Sequence, residues 1–157
     1  MASATVKLDY KELEKLKKQI EKVGDQSQLD QFLKSCAKEL AARLLAKVIK
    51  RTPVGQYPAG AGKTGGTLRR GWTSGEDSNA TAYAKSLTVN KVGSDYVIEI
   101  INPVEYASYV EFGHRTRNHK GWVEGKFMLT ISEDEIRSSA PKILENKLKA
   151  YLEGCFS

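Results

Sequence analysis

The chain has 157 residues, 40% hydrophobic and 28% charged, with 25 Lys and Arg against 19 Asp and Glu. That length predicts a single domain over residues 1–157, burying roughly 70% of its unfolded surface, enough for a true core. With no run of about 18 apolar residues and no charged-then-apolar leader, the sequence predicts a soluble, cytoplasmically made protein without a membrane span. Its two cysteines are too few for a disulfide framework.

Thr5 to Leu8 predicts a short strand, and Asp9 the cap of a helix from Tyr10 to Val23, with Glu12 in its first turn and Gly24 as its stop. The apolar face of that helix is thin (Tyr10, Leu13, Leu16, Ile20, Val23), which predicts a helix lying on the surface of something larger. The next helix carries the strongest pattern in the chain. Leu29, Phe32, Leu33, Cys36, Ala37, Leu40, Ala41, Leu44, Leu45, Val48 and Ile49 follow the i, i+3, i+4 rule until Thr52-Pro53 ends it. About 22 residues at 1.5 Å each make a rod of roughly 33 Å, the spine against which a sheet should pack. Cys36 on its stripe reads as a buried thiol, whereas Cys155 near the end of the sequence reads as an oxidisable one if the tail frays.

From Val54 to Ala82 the composition turns to Gly, Thr, Ser, Ala and Asn without a sustained period, predicting a mobile arm that orders on contact, with Leu68 and Trp72 as its apolar anchors. These anchors dock either on the parent core or on a neighbour. Ser86–Asn90 and Tyr96–Ile101 predict a β-hairpin around Gly93-Ser94-Asp95. Asn102-Pro103 closes it and starts a short helix, Val104 to Phe112, ended by Gly113. A basic loop over 113–126 follows, and Phe127–Ile131 predicts a third strand or an extended lead-in. Ser132 with Glu135 reads as the capping box of a last helix carrying Ile136, Ile143, Leu144, Leu148, Tyr151 and Leu152, kinked or split at Pro141.

The basic excess is concentrated. Residues 51–75 hold Arg51, Lys63, Arg69 and Arg70 with no acid, and residues 113–126 hold Arg115, Arg117, Lys120 and Lys126 against Glu124 alone. Two loops therefore carry the positive charge, toward DNA, an acidic partner or solvent.

No constellation carries catalysis. Gly60-Ala61-Gly62-Lys63-Thr64 resembles a phosphate loop, but the motif needs glycine five residues before Gly62, where Tyr57 stands, and a strand before it, where a helix and Pro53 stand. His114, His119 and Glu111 invite a metal, yet Arg115, Arg117 and Lys120 crowd the histidines and no further His or clustered Cys completes a tetrahedral set. The sequence therefore predicts no enzyme, no metal and no cofactor. Glu111 lies in the last turn of its helix, where the dipole disfavours an anion. It reads either as paired with Arg69, Arg70 or Arg115 of the same or the next subunit, or as solvated. Tyr106, Tyr109, Val110, Phe112, Trp122 and Phe127 gather aromatic and apolar side chains around the second basic loop, a composition shared by interface hot spots and by single-strand stacking surfaces. A core role claims Tyr106, Val110 and Phe112 first. Trp122 is expected to stay exposed until assembly.

The order of Thr52-Pro53-Val54, then Thr64-Gly65-Gly66-Thr67-Leu68-Arg69, then Tyr106-Ala107-Ser108-Tyr109-Val110-Glu111-Phe112-Gly113, then Phe127-Met128 resembles the neck and tail-completion proteins of tailed bacteriophages, which join head to tail and also occur in phage-derived particles. The likeness runs from about Thr5 to the C-terminal helix, with Gly55–Lys63 and Thr73–Ala82 as polar insertions. It implies a structural subunit in a virion or phage-like particle, assembled in the bacterial cytoplasm as a homo-oligomeric, six-fold ring between connector and tail tube. Leu68, Arg69, Arg70, Trp72, Tyr106, Tyr109, Glu111, Phe112 and Trp122 are then the interface candidates, and Lys63, Arg115, Arg117 and Lys120 the channel-facing or DNA-facing ones. The residues themselves admit a second reading, a small basic nucleic-acid-binding module. The expected fold is α+β: a long helix on a small antiparallel sheet, with flanking N- and C-terminal helices and two extended loops.

Overall fold

The computed structural model describes residues 21–75 and 79–156, together with Glu14 and Lys18. Helix α1 spans Gln26–Arg51, 26 residues, or about 39 Å at 1.5 Å per residue. Asp25 caps it, accepting hydrogen bonds from Ser27 N (2.9 Å) and Gln28 N (3.4 Å). It stops at Thr52, whose extended backbone (ψ 124°) is what a following proline demands. Before α1, Glu14, Lys18 and residues 21–23 are helical and Gly24 turns the chain, as expected. The predicted strand Thr5–Leu8, the Asp9 cap and most of the thin apolar face lie outside the described residues.

Seven further elements precede the last helix among the described residues: α2 (Thr67–Gly71), α3 (Ala80–Ser86), β1 (Val89–Val92), β2 (Asp95–Ile98), α4 (Ala107–Phe112), and the paired β3 (Gly113–Arg115) and β4 (Trp122–Glu124). Helix α5 (Met128–Phe156) then runs for 29 residues. The fold is mixed helix and sheet. Two separate two-stranded antiparallel sheets stand where one was expected, β1 with β2 and β3 with β4. Val89 faces Ile98 and Val92 faces Asp95 across the first, around a Gly93-Ser94 turn, and Tyr96 Oη anchors β2 to α1 by donating to Asp30 Oδ1 at 2.8 Å.

The two long helices run antiparallel. Phe32 stacks on Tyr151 near one end, ring centroids 4.4 Å apart, and Arg51 and Lys47 grip Glu135 near the other. Between helices and hairpin lies the core of Ala41, Leu45, Val48, Leu68, Trp72, Ala84 and Met128, flanked by Tyr83, Leu87, Ile98, Val110 and Leu129.

Several sequence expectations change. Val54–Ala82 is not without regular structure, because α2 and the start of α3 fall inside it and Asn79 caps α3 by accepting from Ala82 N at 2.7 Å. Since α3 continues to Ser86, the first strand begins at Val89 rather than Ser86. The short helix begins at Ala107, not Val104. No third strand forms over Phe127–Ile131: α5 starts at Met128, four residues ahead of the supposed capping box. Ser132 is instead fully buried inside the helix, donating to Met128 O at 2.6 Å, while Glu135 serves Arg51 and Lys47. Pro141 lies within α5 without splitting it. Residues 113–126 are a hairpin rather than an extended loop. Cys155 is buried, like Cys36, because α5 continues to Phe156.

Candidate assembly surface

Thr52 is the junction from which the surface is built. Its side chain is buried at the end of α1 and donates to Val48 O at 2.6 Å, with Met128 Sδ 3.4 Å away. The same oxygen accepts from Trp72 Nε1 at 2.8 Å. Its carbonyl accepts from Arg69 Nε (3.2 Å) and Nη2 (2.8 Å). One residue thus ties α1, α2 and α5 together. Leu68 and Trp72 are buried at 5% and 3% exposure, so both anchors dock on the parent core and neither is free for a neighbour in this structure. Arg70 turns back to donate to Gly65 O at 3.4 Å. Close approach fixes Gly71, where a Cβ would sit 2.2 Å from Asn102 Oδ1, and Asn102 Nδ2 in turn donates to Leu68 O at 2.8 Å.

Glu111 follows neither of its sequence readings. It is 6% exposed, and its carboxylate accepts from Leu129 N (2.9 Å), Thr130 N (2.8 Å) and Thr130 Oγ1 (2.6 Å). It caps α5 from a distance. The cap position itself is held by Phe127, which has no oxygen to offer, so an acid from α4 supplies the anion that a helix N-terminus favours. Arg69 and Arg70, two of the three arginines proposed as its partners, are engaged elsewhere, at Thr52 and Gly65, and Arg115 stays exposed on β3. Backbone bonds complete the splice, with Lys126 N donating to Val110 O at 2.7 Å and Phe127 N to Glu111 O at 3.0 Å.

Gly113 lets the chain turn from α4 into β3. Its φ is +84°, and a Cβ there would lie 2.4 Å from Val123 O, so any side chain would be both strained and blocked. The β3–β4 pairing places Arg115 opposite Trp122 and His114 opposite Val123. Cross-strand partners share a face, so Arg115 and Trp122 lie on one side of the ribbon. His114 and Val123 lie on the other, where the Tyr109 ring is 5.6 Å from that of His114.

What this splice holds outward is aromatic. Tyr109, Phe112 and Trp122 are 58%, 61% and 55% exposed, and Tyr106, Val123 and Phe127 are exposed as well. The core thus claims Val110 in part but neither Tyr106 nor Phe112, contrary to expectation, while Trp122 is exposed as expected. Phe112 meets Phe127 edge to face at 6.5 Å. Two concavities flank the band. A groove of about 340 Å³ runs between the end of β2, α4 and the start of α5, with Ile101, Phe112 and Leu129 on its walls and Glu133 beside them. A second, of about 250 Å³, lies beneath the loop before α2, between Val54, Tyr57, Leu68, Tyr106 and Val110. Lys63 stays on that loop, its Nζ 5.9 Å from the Tyr57 ring centroid. Among the described residues no group of three His, Cys, Asp or Glu side chains is placed to hold a metal ion, and no helix is long and apolar enough to cross a membrane.

Thr52, Arg69, Glu111 and Gly113 therefore build the scaffold, and the aromatic side chains between them face out. A family model described as "Bacteriophage HK97-gp10, putative tail-component" matches residues 14–113. The chain belongs to the HK97-gp10-like family. The matched stretch runs from the helical segment before α1 to Gly113 at the start of β3, and the rest of the β3–β4 hairpin and α5 lie beyond it. Tail components are structural proteins of the virion, in keeping with a site built of aromatic and basic side chains. No curated protein and no solved structure matches the chain. The sequence pointed to Trp122 and the basic loop. It missed Thr52 as the junction and Ile101 and Val123 as exposed apolar positions, because short helices and three-residue strands give too little periodicity to show which side faces out.

Proposed function

We propose that this protein is a ring-forming subunit of a phage or phage-like particle, standing at the junction of connector and tail tube, where binding rather than chemistry is its activity. The observation that carries this reading is the exposed band of Tyr106, Tyr109, Phe112, Trp122 and Phe127, held rigidly by the α4–α5 splice in a chain of a tail-component family. Aromatic side chains anchored over a packed core and flanked by concave ground are what protein interfaces bury at their centres. A head-to-tail contact that uses two different patches closes into a ring when its rotation permits, and six-fold closure is the expected case. Of the arm expected over Val54–Ala82, residues 54–64 before α2 stay exposed and are the part that orders on the neighbour.

Light scattering across a concentration series tests self-association. The protein is expected to exceed its monomer mass of 17.4 kDa and to return to it in the variant Phe112→Ser/Trp122→Ser. Monomer mass at every concentration, together with tight duplex binding, favours instead the small nucleic-acid-binding module.

A further inference from the structure

We infer that the β3–β4 hairpin is a pre-ordered contact for the phosphate backbone of double-stranded DNA. The inference deepens the junction reading and rests on it for bringing DNA within reach of the hairpin. The hairpin's cations lie beyond the stretch matched to the family, so the contact rests on this chain's own residues.

Arg115, Arg117, Lys120 and Lys126 are all exposed on residues 113–126, and Glu124 is the only carboxylate there. Among the described residues none of the four cations has a carboxylate within ion-pair distance. The backbone that carries them is nevertheless fixed at the tip. Thr116 N donates to Gly121 O at 3.0 Å, and Gly121 N donates to Thr116 Oγ1 at 3.0 Å. Asn118 Oδ1 accepts from Thr116 Oγ1 (2.7 Å) and Lys120 N (3.1 Å), and His119 takes a left-handed φ of 57°. A tip closed by its own hydrogen bonds loses less entropy on binding than a floppy loop with the same charge. Arg115 and Trp122 share one face of the ribbon, so an aromatic ring stands beside the cations.

An acidic face on a second copy is the competing partner. Asp30, Glu39, Asp134, Glu135 and Glu145 each sit against a Lys or Arg of their own chain and Asp25 and Glu111 are used as helix caps, which leaves exposed Asp95, Glu99, Glu105, Glu133 and Glu153 spread over β2, the lead-in to α4 and both ends of α5. Phosphates at regular spacing meet unpaired cations without that competition.

Duplex DNA of random sequence, titrated by anisotropy against salt, tests the inference. Three phosphate contacts from Arg115, Arg117 and Lys120 give a log–log slope of about −2.7, or roughly 40-fold weaker binding from 50 to 200 mM salt. The variant Arg115→Gln/Arg117→Gln/Lys120→Gln should lose most of that slope and bind at least 10-fold more weakly. Lys50→Gln/Lys142→Gln, with exposed cations on α1 and α5 removed, should keep both. An unchanged slope in the triple variant overturns the inference. So does a triple variant that loses self-association while the parent ignores DNA, since the hairpin then meets protein. A chain that stays monomeric yet binds duplex through these three cations sinks the ring and upholds the hairpin contact.

Discussion

Glu111 and Thr52 illustrate how single side chains decide this structure. A carboxylate in the last turn of its own helix opposes that helix's dipole, but α4 is one and a half turns long and α5 is eight, and the carboxylate meets two backbone N–H groups at the N-terminus of the longer one. Glu111→Ala leaves those donors without their acceptor and should cost about 1–3 kcal/mol. At this size that is a fall of roughly 2–4 °C in Tm per kcal/mol, with Glu111→Gln falling less. Equal melting of Glu111→Ala and parent contradicts the cap. Thr52 is tested by Thr52→Val, which keeps shape and removes the acceptor of Trp72 Nε1. A buried indole N–H without a partner costs about 1–3 kcal/mol, and Thr52→Ser should restore most of it. If valine is tolerated as well as serine, the hydroxyl has no structural role.

Among the elements, α1 was legible because its stripe from Leu29 to Ile49 repeats for about six turns and because Thr52-Pro53 marks its end. The start of α5 was hidden because its cap comes from Glu111, 18 residues before Leu129, and no local pattern announces a cap supplied from another helix. The β3–β4 hairpin was hidden because three residues per strand cannot show alternation, and its aromatic and basic side chains read equally well as a loop. The α1–α5 pairing was equally unforeseen, since nothing in the sequence links Glu135 to Arg51 84 residues away. The Arg51 guanidinium first, and the Lys47 ammonium second, hold the Glu135 carboxyl down to about 2 from an ordinary 4.5. A depressed folded-state pKa means the pair stabilises fully above the unfolded value and loses that contribution as pH falls from about 4.5 toward 2. Parent protein should therefore lose stability through that window by more than Glu135→Gln does. Parallel acid-melting curves for the two would show that the pair is not coupled to folding.

At the scale of the whole molecule, the motifs that mark the chain as phage-like divide between folding and exposure. Thr52, Leu68, Arg69, Glu111 and Gly113 point inward or fix the backbone, whereas Tyr106, Tyr109 and Phe112 in the same runs are left outside. The sequence could name the run but not its two faces, because α4 is too short for a period to declare which side is buried. The division predicts separable phenotypes: inward substitutions should lower melting temperature, and outward ones should leave melting unchanged while abolishing assembly. Electron micrographs of purified protein mixed with tail tubes test this most directly. The account predicts a ring seated at one end of each tube with the parent protein, and bare tube ends with Phe112→Ser/Trp122→Ser at unchanged melting temperature. Bare ends with the parent, or rings that form equally well with the double variant, would contradict it.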